Sequence, residues 1–283
     1  MLKWIKKIVF IIHLVMFVLI GSRCSFAQDP MKGDYTNDRS PIPYYHLREA
    51  DVMWSKKIWR ILDLREKLNH PLYYPTKDMD NRKSLMSLLL YGFEKQNLIL
   101  YDDVDDEFTT PTTMEIVNQR LGAGTETKMQ EDLNTGEMIE IVINNERKPE
   151  DVKKYLMKET WFFDKQRAML DVRIIGLCPL RLYYKVEDVD EEELQTSKIF
   201  WVYFPSIRPL LANHEVFNAT NDAERGTFDD IFFKRMFSSY IFQETNVYDN
   251  RLINQYALGL DAILESEKIK EDIFRLEHDL WEY

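Results

Sequence analysis

The sequence predicts an α+β fold: an antiparallel sheet over about residues 138–204 with flanking helices, a long N-proximal helix at 47–68 and a long C-terminal helix at 251–282. Three observations predict it. Between 138 and 204 the runs MIEIVI, TWFFD, MLDVRIIGL and IFWVYF are rich in β-branched and aromatic residues, which suit a pleated, half-buried surface. On either side of that region apolar residues recur at helical spacing. The chain of 283 residues is 45% hydrophobic, with 16 Phe, 15 Tyr and 6 Trp, enough for a substantial core.

The elements follow in order. Lys3, Lys6 and Lys7, an apolar run from Ile8 to Ile20, and small residues at Ser25 and Ala27 form the pattern of a secretory signal peptide over 1–27. That apolar run is shorter than the roughly 20 residues of a membrane span. Cys24 suggests lipidation, but Arg23 stands where a small residue is expected. Residues 28–45, with Pro30, Gly33, Pro41 and Pro43, read as an extended arm. The remainder, 46–283, reads as one α+β domain, or as two related lobes (46–124 and 205–283) around the sheet. The lobes rest on an offset of 174, which sets Trp54, Ile58 and Trp59 on Phe228, Phe232 and Phe233.

Wound at about 100° per residue, 47–68 gathers Leu47, Ala50, Trp54, Ile58, Ile61 and Leu68 on one face. Trp59 and Val52 point the other way, among Lys56 and Arg60. A Trp on a charged back face needs a cover, so Trp59, Lys56, Arg60 and Val52 are candidates for contact with a partner. Arg65 falls within the apolar stripe, where a guanidinium demands an anion from elsewhere; it is the candidate for a structural ion pair. A helix over about 82–96 has Asn81 as its cap, 98–102 is a short strand, and Thr112 with Glu115 match a capping box. Gly122 and Gly124 stop that helix, and 125–137 is a polar loop. Pro149 opens a short helix. TWFFD and MLDVRIIGL, joined by Lys165–Ala168, form a hairpin, and LRLYYKV (180–186) extends the sheet. Thr227 starts a helix through about Phe237, SSYIFQE is a strand, and the terminal helix carries two apolar stripes on nearly opposite faces.

Charge and motif patterns exclude several functions. Without residues 1–27, which hold four bases and no acid, the chain has 33 basic and 48 acidic residues, a net charge of −15. Nucleic acid and anionic lipid are poor partners for it, and no later stretch spans a bilayer. The four histidines left, His46, His70, His214 and His278, are scattered, and HExxH, CxxC, GxSxG, P-loop and GxGxxG patterns do not occur. No catalytic, metal or cofactor-binding residue is therefore assigned. YDDVDDEF (101–108) lacks the Gly and distal Glu of a calcium loop and reads as a solvated turn, as does EDVDEEE (187–193). Asn218-Ala219-Thr220 fits a glycosylation pattern that has no meaning in a bacterial host. Asp164, Arg167, Asp171 and Arg173 cluster near the hairpin; in a strand, 171 and 173 share a face and form a cross-strand ladder. Cys178, in IIGLCPL, is expected to be buried.

Three blocks, WSKKIWRILDLREKLNHPLYYP, ETWFFDKQRAMLDVRIIGLCP and FDDIFFKRMFSSYIFQETNVYDNRL, make the chain resemble the GldN/PorN family over about 44–253. The resemblance implies a non-enzymatic periplasmic component of the type IX secretion and gliding-motility machinery, with no cofactor. It implies a ring formed with a GldK/PorK-like lipoprotein beneath the outer membrane, and contact with a GldM/PorM-like motor subunit. Two other readings compete with it: a periplasmic peptide- or glycan-binding module, and a hydrolase built around Asp164 and Arg167.

Overall fold

The computed structural model describes residues 39–79, 82–104, 106–131, 138–184, 194–218 and 225–281. The expected signal peptide, residues 28–38 of the expected arm, the acidic run 187–193 and the last two residues of the Asn218 pattern lie outside the described residues.

The main sheet has seven antiparallel strands in the order β2-β8-β6-β5-β1-β9, with β7 also paired to β6. The strands are β1 (Val52–Asp63), β2 (Leu100–Tyr101), β5 (Val152–Asp164), β6 (Met169–Tyr184), β7 (Leu194–Lys198), β8 (Trp201–Tyr203) and β9 (Tyr240–Glu244). Strands β3 (Gly124–Glu131) and β4 (Met138–Asn145) form a separate two-stranded ribbon. The helices are α1 (His70–Tyr73), α2 (Leu85–Gln96), α3 (Met114–Arg120), α4 (Phe204–Ala212), α5 (Phe228–Phe233) and α6 (Leu260–Trp281).

The architecture is α+β, but the N-proximal helix expected at 47–68 is β1, the strand between β5 and β9. Both of its faces are covered over Ile58–Asp63, so the stretch reads as a nearly continuous apolar run, which periodicity cannot assign to helix or strand. Its Val, Ile and Trp content and its two neighbours decide for a strand. The sheet therefore begins at Val52, not near 138, and the Met138 strand belongs to the ribbon. Gly124–Glu131, expected as loop, is that strand's partner, with Lys128 opposite Ile141. The offset of 174 sets residues of a strand, β1, on residues of a helix, α5.

Local signals hold unevenly. The β5–β6 hairpin turns through 165–168, with Asp164 opposite Met169. Thr227 caps α5 in a capping box with Asp230. Burial pushes the Asp230 carboxyl up, and hydrogen bonds from the Thr227 backbone and hydroxyl outweigh it and hold it below the usual carboxylate range. Helix α2 is capped by Ser84, not Asn81, and Thr113 takes the cap of α3 without a side-chain bond, so the Thr112 box does not form. The terminal helix starts at Leu260; Ile253–Gln255 is a separate 3-10 turn.

Period-two alternation divides β1 between two layers. Leu62 joins the largest core, beneath α2, α4 and α5, with Leu88, Phe200 and Phe228. Ile58 joins Ile241, Ile269 and Ile273 beneath α6. Trp59 and Ile61 face the opposite side, with Leu156, Cys178 and Trp201. Ahead of β1, a strap starting at Arg39 lies on the body. The Arg39 N–H donates to Asn213 Oδ1 (2.8 Å). Tyr44 lies 4.5 Å from the Arg208 guanidinium and Tyr45 3.5 Å from that of Arg167. Arg173 donates to the Tyr45 carbonyl (2.8 Å) and faces both rings. It grips the strap and does not build a cross-strand ladder with Asp171.

Candidate interaction surface

Five sequence candidates lie on or beside β1, and the structure sends them to different places. Trp59 is only 7% exposed. Its indole N–H donates to Asp106 Oδ2 (2.7 Å), and buried Lys158 sits 5.5 Å from its ring. Lys158 in turn donates to the Asp106 carbonyl (2.9 Å) and pairs with its carboxylate (3.1 Å). A buried ammonium is thus matched by an anion and an aromatic face.

The cover over Trp59 is the acidic run expected to be a solvated turn. It folds back because Phe108, at φ 59°, sets its ring edgewise to Tyr101, Trp201 and Tyr203, with centroids 5.6–6.0 Å apart. Arg120 holds Asp102 (2.6 Å) and Asp103 (2.7 Å) at its base. Gly176 makes room for Phe108: a Cβ there would clash with the ring and lie 3.1 Å from the Val202 carbonyl. Gly176→Ala is expected to cost about 1–3 kcal/mol and to change the near-UV dichroism of the Trp201 cluster; an unchanged melting curve would count against this packing.

Arg65 is not buried: its side chain is 61% exposed, and its anion is Asp63, two residues back. The strand ends at Asp63, so the stripe that would have buried Arg65 does not exist. Its Nε donates to Asp63 Oδ1 (2.9 Å) and its Nη2 to Oδ2 (2.5 Å). Burial pushes the Asp63 carboxyl up; the side-chain and backbone hydrogen bonds from Arg65 outweigh it and leave the carboxyl below its usual range. With the folded value below the unfolded one, the contribution is present above the usual carboxylate range and fades as pH falls. Arg65→Ala is expected to shift stability by less than about 1 kcal/mol at neutral pH, as read by urea unfolding.

Lys56 pairs with Glu244 (2.6 Å), and half-buried Val52 lies opposite Asp164. Arg60 is the candidate that reaches an open feature. It donates through Nε to Ser239 Oγ (2.9 Å) and through Nη2 to the Ser239 carbonyl (3.2 Å). It lines a groove of about 450 Å³ between the sheet and the flank of α6. Trp161, Leu170 and Ile241 form the floor, and Ile273 and Phe274 the helix wall. Phe274 is 64% exposed.

Trp161 is set in place from below. Its N–H donates to Glu159 Oε2 (3.0 Å), and the fully buried Glu159 receives Arg235 on Oε1 (2.8 Å). Sequence reading missed this unit. The signal was available: Glu159 and Trp161, two residues apart on a strand, must share a face.

The competing cluster is consumed structurally. Buried Asp164 accepts the Gln166 N–H (2.9 Å), and Arg167 is stacked on Tyr45. Burial pushes the Cys178 thiol up to about 12, which leaves it un-ionised and unreactive at neutral pH. Among the described residues no group of three His, Cys, Asp or Glu could hold a metal ion, and no helix is long and apolar enough to cross a membrane.

The antiparallel sheet with its flanking helices, and an apolar groove whose Trp is pinned from beneath, define an α+β protein. The family model described as "Gliding motility associated protein GldN" matches residues 47–282. The chain belongs to the GldN family of gliding-motility-associated proteins. No curated protein matches it.

Proposed function

We propose that the chain is a non-enzymatic structural subunit of the type IX secretion and gliding-motility machinery. In this reading it sits in the periplasm, forms a ring with a GldK/PorK-like lipoprotein associated with the outer membrane, and touches a GldM/PorM-like motor subunit, so supporting export across the outer membrane. The observation that carries the reading is the family match over 47–282. The signal-peptide pattern of residues 1–27 supports the compartment. An assembly subunit needs contact surfaces, and the groove beside α6 offers one.

A tagged chain isolated from its own envelope in mild detergent is expected to elute with a lipoprotein and the motor subunit, in a particle far larger than one copy. A lone copy under those conditions would sink the ring. The groove also gives the peptide- or glycan-binding reading its one specific observation, a Trp in a concavity; that reading predicts the lone copy.

A further inference from the structure

We propose that the groove beside α6 receives a basic amphipathic helix from another protein of the assembly. The inference rests on the assembly reading above and deepens it by giving one partner its chemistry.

The first support is an apolar groove with fixed walls. Trp161 and Leu170, both half-buried, pack against the cluster of Ile241, Ile269 and Ile273, and exposed Phe274 stands on the helix side of the groove. Both walls are fixed. Trp161 is held through Glu159 and Arg235. Helix α6 is held where Ser266 Oγ accepts the Ile241 N–H (2.9 Å) and where Ile269 and Ile273 are buried. An apolar concavity whose walls are held from within the fold lowers the cost of binding a partner.

The second support is shape. The helix wall runs from Glu267 to Glu277, about 15 Å at 1.5 Å per residue. That accommodates side chains at i, i+4 and i+7 of an incoming helix. Lying beside α6 at the usual interaxial distance of 8–10 Å, it would extend the helical layer over sheet residues now half covered.

The third support is charge. Helix α6 carries seven acidic residues and three basic ones. All three bases are already paired, Lys268 with Glu265, Lys270 with Glu267 and Arg275 with Glu271. Glu277, on the groove wall, has no ion pair among the described residues. The charged residues that line the groove are Glu267, Glu271 and Glu277 against Arg60 and Lys270, and Arg60 is tied to Ser239. The surplus is negative, so the complementary flank is lysine- or arginine-rich.

The test uses the full chain and two fluorescein-labelled peptides of about 18 residues with leucines at i, i+3, i+4 and i+7. One has a lysine polar face and the other a glutamate polar face. Fluorescence anisotropy is expected to show binding of the lysine peptide. Phe274→Asp should weaken it at least about tenfold without altering the melting curve, because Phe274 is exposed. Glu271→Lys with Glu277→Lys should shift preference toward the glutamate peptide. Equal binding of both peptides, or lysine-peptide binding untouched by Phe274→Asp, overturns the proposal. So does a Phe274→Asp chain that loses self-association in sedimentation while keeping the peptide, since the occupant would then be a second copy. If Phe274→Asp leaves every envelope partner in place and the wild type binds neither peptide, this inference falls and the assembly reading stands. If the lysine peptide binds at the groove but no partner co-purifies, the assembly reading falls instead.

Discussion

Trp59→Ala is expected to destabilise the folded chain by about 3–5 kcal/mol, lowering the melting temperature by roughly 6–20 °C. The indole is nearly buried between Leu156, Cys178 and Trp201 on one side and Asp106 and Phe108 on the other. Its removal leaves a cavity and breaks the donation to Asp106. It also takes the nearer of two aromatic faces from Lys158, a buried cation left with Asp106 and the Phe108 ring. Trp59→Phe, which keeps a ring but no donor, should cost less, with about 1–3 kcal/mol from the lost hydrogen bond to the Asp106 carboxylate, which keeps its pairing with Lys158. Far- and near-UV dichroism through a thermal ramp separates the two variants. An alanine variant that melts like the wild type but fails to assemble would return Trp59 to the surface.

The second large effect is expected at Asp229. Its carboxylate takes Arg208 Nε (2.8 Å) and Nη2 (3.0 Å) in a two-point clasp, with both side chains nearly buried. Asp229→Ala strands a guanidinium in the core and should cost about 3–5 kcal/mol. Arg208→Met combined with Asp229→Leu should recover most of that loss, because two apolar side chains of similar volume leave no charge behind. Urea unfolding of the two single variants and the double variant gives the coupling directly. A double variant as unstable as Asp229→Ala would mean that the pair supplies more than mutual neutralisation. Since Arg208 also faces the Tyr44 ring, the double variant, which lacks that guanidinium, should expose the strap to protease earlier than the wild type does.

Legibility in the sequence tracked how local the deciding interaction was. The β5–β6 hairpin and the helix start at Thr227 depend on residues a few positions apart, and both are read directly, although that helix ends at Phe233 and not near Phe237. The identity of β1 depends on β5 and β9, about 100 and 180 residues away, and no local period reports that. One inference survived the wrong element. Trp54 and Trp59 lie on opposite sides in either period, because five residues are about 140° in a helix and an odd number in a strand. The cover of the Trp59 side was misread because Asp106 and Phe108 look solvated until Lys158 and Trp201 are placed beside them. Arg60 was picked out for a helical back face, but in the strand it shares the face of Ile58 and Leu62. The pairing of Trp161 with Glu159 was legible from their spacing, but the groove that Trp161 shares with Phe274 was not, because it exists only where a sheet and a distant helix approach without closing.

The strap has a mechanical consequence. Tension on the strap from its N-terminal side meets the Arg39 hydrogen bonds to Asn213 and the Arg225 carbonyl, then the ring-on-guanidinium stacks at Tyr44 and Tyr45, before it reaches any strand. Those stacks would slip one after another, so the strap would act as a fuse that yields before the sheet is sheared.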